Sequence, residues 1–151
     1  MEIEALAKPA DSWCPHCAPK RGCAIYRERP AECAEFSCLW LVNDLLDERW
    51  KPSKAKFVLT TSEDGIELRC DPGFPEAWRR EPYYTEVRNW AVAGEANDMT
   101  VVAMVGRRMT LVTGSREFDL GNVGTSERIV RELEDGRVIN ARAVKAEESD
   151  G

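Results

Sequence analysis

The chain has 151 residues, 43% of them hydrophobic and 32% charged, with a formal net charge of −6. That length and apolar share suit one ordinary domain, or a small lobe on a compact core, and exclude a globally disordered chain. The dispersed acidity argues against a nucleic-acid partner, which needs a basic face, and fits a role in solubility.

In chain order, residues 1–8 place Glu2 and Glu4 where a secretory signal needs positive charge, and they lack an apolar run. No stretch approaches the roughly 18 apolar residues of a membrane span. The expectation is a cytoplasmic protein with no membrane contact. In a reducing cytosol, closely spaced cysteines serve as metal ligands or catalytic thiols more often than as disulfides.

Such a cluster follows at once. Five of the six cysteines fall at Cys14, Cys17, Cys23, Cys33 and Cys38, in the pattern C-x2-C-x5-C-x9-C-x4-C. Pro15, Pro19 and Gly22 give the first part loop composition, and a bent backbone lets several thiols point inward. Pro30 suits a helix start, because its missing N–H costs nothing there. Cys33, Phe36, Leu39 and Trp40 then share one helical face, extended by Leu41, Val42, Leu45 and Leu46. Cys33 and Cys38 lie five apart, about 140° around an ideal helix. Both can bind one metal only if the helix breaks near Ser37; otherwise one of them is not a ligand.

Beyond residue 54 the pattern changes to strands and turns. Residues 56–61 and 66–70 read as a hairpin joined by Asp64-Gly65. Pro82 starts a second helix with Tyr83, Val87, Trp90 and Ala91 on its apolar stripe, ending at Gly94. Residues 99–105 read as a buried strand, and 108–113 with 116–120 as a hairpin. Residues 128–133 and 137–144 form a third hairpin around Asp135-Gly136, although Ile129, Val130 and Leu133 also fit a short helix. The predicted fold class is α+β: a cysteine-rich metal-binding lobe with a helix over 1–53, a mainly antiparallel β domain with one helix over 54–145, and an acidic tail over 146–151.

Thiolates are soft ligands that select zinc, copper(I) or iron–sulfur chemistry. Cys14 and Cys17 form a knuckle whose sulfurs reach one ion from a single turn. Tetrahedral zinc takes four ligands, and so does a four-iron cluster, which leaves one of the five cysteines spare. The string Gly22-Cys23-Ala-Ile-Tyr26 followed by Arg29-Pro30-x-x-Cys33-x-x-Phe36-x-Cys38-x-Trp40-Leu41 resembles the bacterial YkgJ-type cysteine-cluster family, a zinc- or iron-chelating domain, over residues 13–42. The resemblance implies that Cys23, Cys33 and Cys38 are downstream ligands, with Cys14 and Cys17 upstream. Many members carry a denser upstream cluster with adjacent cysteines, which this chain lacks. For the half beyond residue 54 the resemblance implies no activity.

Other residues have competing roles. His16, the single histidine, can ligate, but the middle residues of a knuckle usually face solvent. One histidine also removes most serine-, cysteine- and zinc-hydrolase schemes. Cys70 shares strand parity with Ile66 and Leu68, which makes it a core residue rather than a sixth ligand. Lys20, Arg21, Arg27 and Arg29 either stabilise thiolates or solvate a loop. Trp13, Phe36 and Trp40 either shield a cluster or pack the lobe. Arg79-Arg80 with Trp78, Tyr83 and Tyr84 offers a stacking surface, yet Tyr83 lies on the apolar stripe of a core helix. No phosphate loop, nucleophile elbow or paired-carboxylate motif is present. The expected function is metal binding: one zinc held mainly for structure, with a protein partner. The alternatives are a redox protein carrying iron or a 4Fe-4S cluster on the same cysteines and, third, a thiol redox switch with no metal.

Overall fold

The computed structural model describes residues 2–10, 12–18 and 20–146. The chain divides into two compact units, Met1–Ser37 and Cys38–Gly151. Residues 38–53, expected to belong to the cysteine lobe, fall within the second unit. The acidic tail expected over 146–151 lies outside the described residues apart from Ala146.

In the first unit, Ile3 is buried and forms an isolated bridge with Lys8 around a 3-10 turn at Glu4–Leu6. Two short antiparallel strands follow, β1 (Cys17–Ala18) and β2 (Gly22–Cys23). Gly22 has φ +81°, a left-handed conformation that a side chain would disfavour, where the chain enters β2. A 3-10 turn at Tyr26–Glu28 leads to α1 (Ala31–Glu35), with Pro30 at its N-cap.

The apolar stripe expected to run as one helix from Pro30 is interrupted. Phe36 and Cys38 are extended, with φ −62°, ψ 122° and φ −93°, ψ 160°. Ser37, a weak helix former, sits between them. The helix resumes as α2 (Leu39–Val42).

The second unit continues with a 3-10 turn at Glu48–Trp50, where the Asp47 carboxylate accepts from the Arg49 N–H at 2.8 Å. Pro52 then opens α3 (Pro52–Ala55), and Lys56 at φ 67° ends it. The main sheet has β3 (Phe57–Ser62), β4 (Gly65–Cys70), β5 (Thr100–Val105), β6 (Arg108–Val112) and β7 (Glu117–Asn122) in spatial sequence order. Every neighbouring pair is antiparallel except β4–β5. A parallel pair needs a crossover connection, and α4 (Tyr83–Glu95) provides it.

The two faces of this sheet bury different layers. Phe57 and Leu59 oppose Cys70 and Leu68, Leu68 neighbours Ala103, and Val101 opposes Val112. These residues form one core with Tyr83, Val87 and Ala91 of α4 and with Trp50 and Trp78. Trp50 packs edge-on against Tyr83 at 5.1 Å between centroids, and the Tyr83 hydroxyl donates to the Arg49 carbonyl at 2.8 Å. On the opposite face, Val102 and Leu111 pack with Val138 of a separate hairpin, β8 (Glu127–Glu134) and β9 (Arg137–Lys145). Asp135 and Gly136 at its turn have φ 49° and 76°, the paired positive values a tight hairpin turn requires. Residues 129–133 are therefore strand rather than helix. The fold is α+β with mainly antiparallel sheets, arranged in the second unit as helix, sheet and hairpin layers. Among the described residues no helix is long and apolar enough to cross a membrane.

Candidate metal centre

Local backbone chemistry fixes the approach of the first three cysteines. The Cys17 N–H donates to the Cys14 carbonyl at 3.0 Å, closing a turn with Pro15 at its second position, where its fixed φ is favoured. One step on, the Ala24 N–H donates to the His16 carbonyl at 2.8 Å. Cys17 lies directly opposite Cys23 in the β1–β2 ladder. Hydrogen-bonded and non-hydrogen-bonded pairs alternate along such a ladder, so the bond at 16–24 makes Cys17–Cys23 a non-hydrogen-bonded pair. Side chains approach most closely there, with Cα atoms about 4.5 Å apart, and both lie on the same face. Cys14, Cys17 and Cys23 thus occupy adjoining positions on one turn and one ladder rung.

Cys33 is the third residue of α1, and its N–H donates to the Pro30 carbonyl at 3.0 Å. Cys14, Cys17 and Cys33 are half-buried and Cys23 is exposed. Cys38 is different. It is 3% exposed, it begins the second unit, and its carbonyl accepts from the Leu41 N–H at 3.0 Å in the first turn of α2. All six thiols are free.

The four cysteines of the first unit suit a soft metal in donor type and in number. In side-chain placement they are not gathered: among the described residues no three Cys, His, Asp or Glu side chains form a metal-holding group. The fit is one of backbone geometry and donor chemistry.

The residues around the cluster have definite positions. Arg29 folds back over the Tyr26 ring at 3.9 Å and donates to the Tyr26 carbonyl at 2.9 Å, so it braces the turn before α1. His16 is half-buried, and its carbonyl is engaged in the hairpin. Trp13 is 72% exposed, whereas Trp40 packs against the core of the second unit and donates its indole N–H to the Asp47 carbonyl at 3.0 Å.

Cys70 is buried in the sheet core, where burial pushes its thiol up to about 12, with the nearby Glu76 carboxylate a smaller contributor. Trp78 is 1% exposed, and Arg80 donates to the Ala77 carbonyl at 3.2 Å. The Trp78-Arg79-Arg80 string is therefore built into the fold rather than offered as a stacking surface.

A second feature was not anticipated from the sequence. A cavity of about 450 Å³ opens on the helix-covered sheet face, lined by Trp78, Arg79, Ala103, Arg108, Glu117 and Asp119 among others. Arg79 pairs with Glu117 at 2.6 Å and with Glu76, while Arg108 pairs with Asp119. Its polar lining follows from register: Thr110 and Asp119 continue the same rung as Leu68 and Ala103. The signal in the sequence is the alternation of Arg108, Thr110, Glu117 and Asp119 with apolar residues, which shows polarity but not which face it takes.

Compared with known proteins, the chain matches no family model, no curated protein and no solved structure.

Proposed function

We propose that the first unit binds one zinc ion through the thiolates of Cys14, Cys17, Cys23 and Cys33, mainly as a structural site. The observation that carries this reading is the opposition of Cys17 and Cys23 on one ladder rung beside the Cys14–Cys17 turn. Three soft donors share one small piece of backbone, and α1 supplies a fourth within the same unit. Four protein thiolates close the coordination shell of zinc, which suits a structural role and leaves no open position for hydrolysis. The resemblance of residues 13–42 to the YkgJ-type cysteine-cluster family supports a metal site on these cysteines, although it implies Cys38 as a ligand too. Cys38, the fifth member of the cluster, is the spare thiol in this reading, since the four cysteines of the first unit already fill a tetrahedral shell. The metal orders a lobe whose exposed Trp13 and Tyr26 suit contact with a protein partner.

A four-iron cluster takes the same number of thiolates, so one measurement separates the two metals. Protein purified anaerobically is analysed for zinc, iron and sulfide and scanned for visible absorption. Colourless protein with one zinc per chain is the expected result. Visible absorption with iron and sulfide replaces zinc with a redox cluster, and protein with neither metal overturns the site.

A further inference from the structure

We infer that Cys17 and Cys23 are an oxidation site, forming a disulfide across the β1–β2 ladder by exchange with a small-molecule disulfide such as glutathione disulfide. The two residues are direct partners in the ladder, and the Ala24-to-His16 hydrogen bond fixes their rung as non-hydrogen-bonded. Such a rung separates Cα atoms by about 4.5 Å, within the 4.4–6.8 Å that a disulfide spans. At that spacing the two sulfurs lie within reach of a bridge. Cys23 is exposed, so an oxidant reaches it from solvent, and both thiols are free.

The exchange balances without a further reactant. The Cys23 thiolate attacks one sulfur of the small disulfide and expels the first thiolate of that molecule. The Cys17 thiolate then attacks the Cys23 sulfur of the mixed disulfide and expels the second. The cysteine pair loses two electrons, the small disulfide gains them, and the two thiol protons leave on the two released small thiols. If the zinc reading above holds, oxidation removes two of four ligands and releases the metal; that consequence rests on the metal site, whereas the disulfide does not.

The test uses the full chain treated with a chelator and then with glutathione disulfide, quenched by alkylation and digested with trypsin. Trypsin cuts after Lys20 and after Arg21, between the two cysteines, so a Cys17–Cys23 bond appears as a linked peptide pair. Fragment-ion sequencing shows whether Cys14 in that pair carries the alkyl label. The expected result is a Cys17–Cys23 link with Cys14 alkylated as the main oxidised product. In a chain without the hairpin register the shorter loop closes first, so a dominant Cys14–Cys17 bond overturns the proposal. Oxidation that stops at glutathione on Cys23 overturns it as well. A parallel run without chelator separates the two readings. Slower linkage there supports bound metal, whereas an equal rate in both runs argues against the zinc site while leaving the disulfide intact.

Discussion

Arg79 and Glu117 meet in the second unit through a forked contact, with Arg79 Nη2 and Nε 2.6 Å and 3.1 Å from the same carboxylate oxygen. Arg79 lies in the 3-10 turn Ala77–Arg79 ahead of α4, and Glu117 begins β7 at the edge of the sheet. The pair therefore ties the helical layer to an edge strand. Both side chains are partly screened by water, which reduces the value of the pair. Glu117→Gln should destabilise the protein by about 1 kcal/mol in urea unfolding, with the difference shrinking at high salt. No change at low salt would show that the contact contributes nothing.

Gly65 presents a sharper constraint. It has φ +144°, and a Cβ built there would lie 1.9 Å from the Thr100 carbonyl oxygen on the neighbouring parallel strand. The obstacle is backbone on both sides, so side-chain repacking cannot relieve it. Gly65→Ala should cost on the order of 3 kcal/mol or more, combining strain at positive φ with overpacking. Thermal and urea unfolding check this, and a variant with the parent's midpoint would contradict the β4–β5 register.

The buried Cys70 thiol makes stability depend on pH in the alkaline range. Its value rises from 9.0 unfolded to about 12 in the core, chiefly because burial disfavours the thiolate. Between those limits the unfolded chain holds fewer protons than the folded one, so stability falls as pH rises from the lower value to the upper. Cys70→Ala should flatten that slope when unfolding free energies at pH about 8 and about 10 are compared. In the folded parent the thiol should also resist alkylation until the chain unfolds. Alkylation at the rate of an exposed thiol would contradict its burial.

The proposed zinc site separates the cysteines into two groups. Cys14→Ser or Cys17→Ser should lose the metal and unfold the first unit, since binding energy in such sites is folding energy. Cys38→Ala and Cys70→Ser should keep one zinc per chain, measured by metal analysis after dialysis. Loss of zinc from the Cys38 variant would return that residue to the ligand set in place of one of the other four.

Where the sequence was legible, the structure is governed by neighbours along the chain. Asp135-Gly136 marks a hairpin turn because positive φ is a local demand, whereas the turn expected at Asp64-Gly65 falls one residue earlier, at Glu63-Asp64, with Gly65 already paired to Ser62 in β4. The parity that turned Cys70 toward the core is likewise a property of one strand. The interruption between α1 and α2 was legible only as a condition. The stripe from Cys33 to Leu46 keeps helical spacing through Ser37, so periodicity alone does not register the break. The five-residue gap between Cys33 and Cys38, however, named Ser37 as the place a shared metal would require it. The charged lining of the cavity was also out of reach, because it depends on which face of β6 and β7 turns toward α4.

The sequence by itself determined the cysteine cluster, the Asp135-Gly136 turn, the alternation of the strands and the helical stripe of α4, all set by residue type and spacing over a few positions. Only the tertiary structure decided that β4 and β5 pair in parallel, that Cys17 faces Cys23 across a non-hydrogen-bonded rung, and that Cys38 opens the second unit. Those outcomes depend on pairing and burial between segments distant in the chain or joined by a bend, and such pairings are selected by the packing of the whole rather than by any one segment.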